Sequence, residues 1–126
     1  MKYTVDKQEK YTLIQLLEEK LDSTIAPLLK SELITFHAEG VKNLIIDLSA
    51  VRYADSSGLS ALLRANKLCG EADGILVICG LSEHVEKLIK ISQLDSVLNI
   101  LPTVEEAIDT VFMHEIEKDL KAGDSN

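Results

Sequence analysis

Leu44-Ile45-Ile46-Asp47-Leu48-Ser49-Ala50-Val51-Arg52-Tyr53-Ala54-Asp55-Ser56-Ser57-Gly58-Leu59 runs from an apolar segment, through a polar connection, into the start of a helix. Leu44 to Leu48 is apolar enough to be a central strand buried on both faces. Beyond the connection, Leu59, Leu62, Leu63 and Cys69, with Ala61 and Ala65, recur at helical spacing until Gly70 supplies a stop. A strand that feeds directly into a helix is half of a parallel crossover. In open sheets of this kind, recognition happens in the crevice beyond the carboxyl ends of the strands. The Asp55-Ser56-Ser57-Gly58 turn falls there.

Working outward, the pattern repeats. Tyr11 to Leu17 is a β-rich run, preceded by a weaker edge strand near Tyr3 to Val5 and a polar turn at Lys7 to Lys10. Asp22-Ser23-Thr24 is a cluster of N-cap residues ahead of a helix that carries Ile25, Leu29, Leu33 and Phe36, with Pro27 in its first turn and Gly40 at its end. Ile75 to Cys79 is a second continuous apolar strand. Ser82 caps a helix bearing Val85, Leu88 and Ile89. Val97 to Ile100 is a short strand. Thr103 and Glu106 stand at capping-box spacing before a last helix with Val104, Ile108, Val111 and Phe112 inward. The order β-β-α-β-α-β-α-β-α predicts a single α/β domain. Its central sheet is mostly parallel with an antiparallel N-terminal edge, and one layer of helices packs against it. Residues 117–126 turn polar and are expected to fray.

The 126 residues are 46% hydrophobic and 27% charged, a globular composition long enough for one self-sufficient core. Thirteen basic against 21 acidic residues leave a net charge of −8. That surface repels phosphate backbones and anionic lipid, which argues against nucleic-acid partners. No apolar run reaches the length of a membrane span and the start lacks a signal-peptide core, so no membrane insertion and a cytoplasmic location are expected. Cys69 and Cys79 read as small buried hydrophobes and not as a disulfide or a zinc site. His37, His84 and His114 all fall on predicted helices, away from the strand-end loops. With no base beside a serine, no metal-ligand spacing and no phosphate-binding loop, the chain is read as a non-enzyme without cofactors.

The chemistry of Asp55-Ser56-Ser57-Gly58 leaves two readings open. In one, Asp55 or Ser56 is an N-cap worth about 1 kcal/mol and nothing more. In the other, a hydroxyl here is a phosphoacceptor whose charge of about −1.5 to −2 sits on a helix N-terminus without refolding the domain. Arg52, Arg64 and Lys67 flank this segment as solvated charges or as phosphate partners. Tyr53 packs either on a partner or under its own loop.

Asp55-Ser56-Ser57-Gly58-Leu59 after a hydrophobic strand resembles the signature of STAS domains, and more narrowly of bacterial anti-sigma factor antagonists. The likeness runs from about Thr4 to Phe112 and includes Leu21-Asp22 followed by Ala26, and Gly80-Leu81-Ser82 after the Ile75 strand. It implies a STAS-type domain over residues 1–116. It further implies an unphosphorylated form that binds an anti-sigma factor serine kinase and releases a sigma factor. Phosphorylation by that kinase at the first serine, Ser56, would switch the protein off, and a serine phosphatase would restore it. Carried over by position, Asp22, Asp55, Ser57 and Gly58 form the switch surface, Gly58 giving a partner room to approach. The alternative within the same family is a scaffold or accessory subunit, in a sensor complex or lipid transporter, with no phosphorylation cycle. The chain departs from the family at Glu18-Glu19-Lys20, where members usually carry glycine before the Leu-Asp pair.

Overall fold

Strands β1 (Tyr3–Lys7), β2 (Thr12–Leu16), β4 (Leu44–Asp47), β6 (Leu76–Cys79) and β7 (Asn99–Leu101) form one sheet in the order β1-β2-β4-β6-β7. The computed structural model describes residues 1–124. The β1–β2 edge is antiparallel and every other pairing is parallel, as the alternation of apolar runs and helix-period segments predicts. Both central strands are buried along their whole length.

That double burial has a consequence which the expectation of one helix layer misses. Successive side chains leave a strand on opposite faces. Leu44, Ile46, Leu76 and Ile78 join the larger core, with Leu29 and Leu33 from α1 (Ala26–Ala38), Leu62 from α2 (Ser56–Glu71) and Ile89 from α3 (Glu83–Ile91). Ile45, Val77 and Cys79 point the other way, onto Ala107 and Val111 of α4 (Val104–Asp124). The fold therefore has three layers, with α4 alone on the second face.

Several helix details depend on which face the tertiary structure selects. Ser82 caps α3 through a 3.4 Å bond from the Val85 N–H, and the Thr103 hydroxyl accepts from the Glu106 N–H at 3.2 Å. The Asp22-Ser23-Thr24 cluster does not cap α1 by a side chain; Ile25 is its N-cap residue, and Pro27 lies in the first turn. Gly40, at φ +91°, ends that helix, and the Val41 N–H reaches back to the Phe36 carbonyl. Helix α2 runs through Gly70 to Glu71, and the left-handed residue after it is Asp73. Leu68 takes the inward position expected for Leu63, Ala107 is inward where Phe112 is exposed, and Val97 is exposed just before β7. A 3-10 turn at Leu94–Ser96 precedes β7.

Helix α4 continues through the 117–124 part of the expected frayed tail; 125 and 126 lie outside the described residues. Glu117, Lys118, Leu120, Lys121 and Ala122 are good helix formers. Lys118 also donates to the Asp73 carbonyl at 2.9 Å and lies 3.7 Å from Glu115. Both cysteines are free and buried; burial pushes the Cys69 thiol up to about 12 and the Cys79 thiol up to about 11.

At the end of the sheet away from Ser56, buried Asn43 ties three elements together. Its amide donates to the Lys10 carbonyl (2.8 Å) and the Glu115 carboxylate (2.7 Å), and its carbonyl accepts from the Ile75 N–H (3.0 Å). The Asn43 hydrogen bond is the main reason the Glu115 carboxyl is held below the usual range. Asn43→Ala leaves these partners unsatisfied and is expected to cost about 2 kcal/mol in urea melts at neutral pH. A carboxyl with a lowered native pKa stabilises above its unfolded pKa and loses that contribution as pH falls through the native value. The gap between wild type and Asn43→Ala should accordingly narrow in melts taken well below the glutamate range.

Candidate functional site

Two strands of two residues each, β3 (Lys20–Leu21) and β5 (Tyr53–Ala54), pair in parallel beside the main sheet. The Glu19 carbonyl accepts from the Arg52 N–H (2.8 Å) and the Tyr53 N–H (3.2 Å), and the Leu21 carbonyl accepts from the Asp55 N–H (3.3 Å). The register Lys20↔Tyr53, Leu21↔Ala54 sets Asp22 and Asp55 at adjacent positions just past the two strand ends. The unusual Glu18-Glu19-Lys20 turn is part of this clamp: its backbone is bonded while Glu19 and Lys20 are exposed. Strands this short carry no periodicity and leave no pattern in the sequence. The only trace is a lone apolar residue, Leu21 or Ala54, standing before an aspartate.

Asp55 is the N-cap of α2. One of its carboxylate oxygens accepts from both the Ser57 N–H (2.9 Å) and the Gly58 N–H (3.2 Å). The two readings of this turn are thus divided between two residues: Asp55 is the cap, which leaves Ser56 free of that duty. Ser56 is exposed, and its hydroxyl has no hydrogen-bond partner among the described residues. Ser57 is half-buried. Gly58 is buried, and a Cβ there would overlap the Leu21 carbonyl oxygen and lie 2.8 Å from Leu21 Cγ. The room expected above Gly58 for a partner is filled by Leu21 of the same chain.

Around Ser56 the surface is a shallow groove between the first turns of α1 and α2, lined by Ser23, Pro27, Lys30, Ser56, Ser57 and Ser60. Lys30 Nζ donates to Ser60 Oγ at 3.1 Å. Nothing in the sequence pattern marks Lys30 or Ser60. Each is one turn into its helix, but only the crossing of α1 and α2 brings them together. Asp22 shares this end of the domain, yet its carboxylate turns back to the Thr24 hydroxyl (2.6 Å) and N–H (3.0 Å), which hold its pKa below the usual range. Tyr53, open between two readings, is half-exposed and stacks on His84 of α3 with ring centroids 5.4 Å apart. That contact also brings His84 nearer the motif than its helical position suggested. Arg52, Arg64 and Lys67 are exposed and unpaired with carboxylates among the described residues. No group of three or more His, Cys, Asp or Glu among the described residues is placed to hold a metal ion, and no described helix is long and apolar enough to cross a membrane. The arrangement displays a hydroxyl on a rigid turn.

An α/β sheet with an antiparallel N-terminal edge and an Asp-Ser-Ser-Gly turn opening the second helix is the architecture of a STAS domain. The STAS domain family model matches residues 3–107, and the chain belongs to that family. It is 32% identical over 107 residues to the "Putative anti-sigma factor antagonist BtrV" of Bordetella bronchiseptica, covering 85% of this chain and 91% of that one. Among solved structures, an anti-sigma factor antagonist from Mycobacterium paratuberculosis superposes with a TM-score of 0.78 at 24% identity, over 87% of this chain and 92% of its own. The anti-sigma factor antagonist SpoIIAA in its unphosphorylated form gives 0.69 at 21%, over 87% and 97%. The Bacillus cell fate determinant SpoIIAA in its phosphorylated form gives 0.68 at 22%, over 87% and 99%. At these identities the structural matches establish the fold.

The geometry separates the motif residues by role, and stability measurements should do the same. Gly58→Ala forces Leu21 away and is expected to cost about 1–3 kcal/mol. Asp55→Ala removes the cap, for about 1 kcal/mol. Ser56→Ala is expected to stay within about 0.5 kcal/mol of wild type. Urea unfolding of the three variants checks the ranking.

Proposed function

We propose that this chain is an anti-sigma factor antagonist whose partner is an anti-sigma factor that is also a serine kinase, and that Ser56 is the phosphoacceptor. The observation that carries this reading is the exposed, unengaged Ser56 hydroxyl at the first position of α2. In the unmodified protein the partner docks over the surface around Ser56, with Asp22, Asp55 and Ser57 at its centre. Gly58 acts beneath that surface, holding the turn against Leu21. Docking occupies the anti-sigma factor and frees its sigma factor.

The kinase then transfers the γ-phosphoryl group of ATP. A bond forms between Ser56 Oγ and the γ-phosphorus, and the bond from that phosphorus to the bridging oxygen breaks. ADP leaves, and the hydroxyl proton passes to a base on the kinase. The product carries about −1.5 to −2 extra charges on a surface that already holds Asp22 and Asp55. Added bulk and like-charge repulsion lower the partner's affinity, and a serine phosphatase hydrolyses the ester to reset the switch. In this cycle the chain is a substrate and a ligand, and the catalytic groups belong to its partners.

Incubation with the cognate anti-sigma kinase and ATP is expected to add one phosphate, mapped by mass spectrometry to Ser56. Phosphate at another residue overturns the assignment. Stable binding with no modification favours the scaffold role. In titrations against the unmodified partner, Ser56→Ala should bind as wild type does, while Ser56→Asp should bind at least tenfold more weakly. Equal affinities would remove charge from the mechanism.

A further inference from the structure

A phosphate on Ser56 would not find the helix terminus empty. The two backbone N–H groups best placed to receive an anion, those of Ser57 and Gly58, already donate to the Asp55 carboxylate, at 2.9 and 3.2 Å. Taking them would mean displacing the cap, at a cost of about 1 kcal/mol, and would crowd two anions into one turn. A modified Ser56 therefore needs its counter-charge from outside α2, and the groove holds one candidate.

Lys30, on the neighbouring helix, is the only cation among the groove's lining residues. It has no carboxylate partner among the described residues, although the chain has 21 acidic residues to 13 basic ones. Its ammonium spends one hydrogen bond on a neutral acceptor, Ser60 Oγ, at 3.1 Å. Ser60 lies four residues beyond Ser56, so the two hydroxyls sit on one helix face with Cβ atoms roughly 6 Å apart. The phosphate of a modified serine extends from Oγ by a further bond, and a lysine stem with four rotatable carbons covers what remains. Charge-assisted bonds are roughly twice as strong as those between neutral groups, so the exchange from hydroxyl to phosphate runs downhill.

We propose that Lys30 is the resting partner of the Ser56 phosphate: on modification its ammonium leaves Ser60 and draws the dianion into the groove between α1 and α2. This rests on Ser56 being the modified residue and adds a positioning role for Lys30. Because the phosphate lies over Ser23 and Pro27, the modified protein presents a filled groove as well as added charge. A carboxylate in the Ser56→Asp variant projects less far than a phosphate and carries a single charge, and so reproduces part of the charge without the filling.

The test uses protein carrying phosphoserine installed at position 56 during synthesis, so its result does not depend on which residue any kinase selects. The second ionisation of the phosphate is followed by phosphorus NMR across a pH titration. A cation in contact favours the dianion, so wild type should titrate about half a unit lower than Lys30→Gln. Lys30→Arg, which keeps the charge, should restore the wild-type value, and Ser60→Ala should leave it unchanged or lower. Superimposable titrations of wild type and Lys30→Gln overturn the proposal, as does a Lys30→Arg curve that follows Lys30→Gln. Failure here with Ser56 still modified by the kinase would remove Lys30 alone. Success here with kinase phosphate found elsewhere would remove the functional reading alone.

Discussion

Leu21 is held from two directions, and the site exists because of it. Its backbone carbonyl receives the Asp55 N–H, which fixes where α2 begins. Its side chain is fully buried and lies where a Cβ on Gly58 would otherwise go, which fixes how closely the first turn of α2 approaches. Any larger residue at position 58 pushes the helix start away from β3 and moves Ser56 with it. The glycine of the motif is thus a packing requirement internal to the chain. Its place beside an exposed serine follows from helix geometry, because residues two apart on a helix face different directions.

The rest of the domain keeps that small clamp rigid. The two apolar strands are buried from both sides, so the strand leading to the Asp55-to-Leu59 segment is anchored by α1, α2 and α3 on one face and by α4 on the other. Leu48 and Val51, both fully buried, carry the same anchorage into the connection between β4 and β5. A turn held this firmly fixes the position from which the Ser56 side chain projects. Preorganisation of that kind reduces the ordering cost when another protein docks.

Much of this was legible in the sequence, for identifiable reasons. Continuous runs such as Leu44 to Leu48 and Ile75 to Cys79 have one economical explanation, a parallel strand covered on both faces, and parallel pairing follows from the intervening helices. Caps written in side-chain chemistry, such as Ser82 and Thr103, could be read directly. What could not be read depends on tertiary contact. The β3–β5 pairing is two residues wide, so no pattern announces it. The exchange of Leu63 for Leu68, and of Phe112 for Ala107, falls at the edge of an otherwise expected inward stripe, whose limits only the opposing layer settles. The meeting of Lys30 with Ser60 needs the crossing of two helices. Asp22 shows the limit most clearly: its position beside the motif is what the family resemblance implies, but the return of its carboxylate to Thr24 depends on local turn geometry.

The modification proposed at Ser56 would act without touching the fold, because the costs and gains fall on opposite sides of the surface. The Ser56 hydroxyl makes no hydrogen bond among the described residues, so esterifying it removes none. On the proposed reading the added dianion lies in a shallow, open groove beside Lys30, so no burial penalty is incurred. The Asp55 cap keeps its two N–H groups, so the helix keeps its terminus. A partner docking there, as proposed, would meet different terms: it would have to cover the same atoms, and covering an ionised phosphate beside Asp55 without bringing a matching cation is costly at any packing quality. The asymmetry between a folded state indifferent to the phosphate and an interface that cannot tolerate it is what a reversible switch requires. It depends on the division of labour in which the aspartate caps and the serine does not.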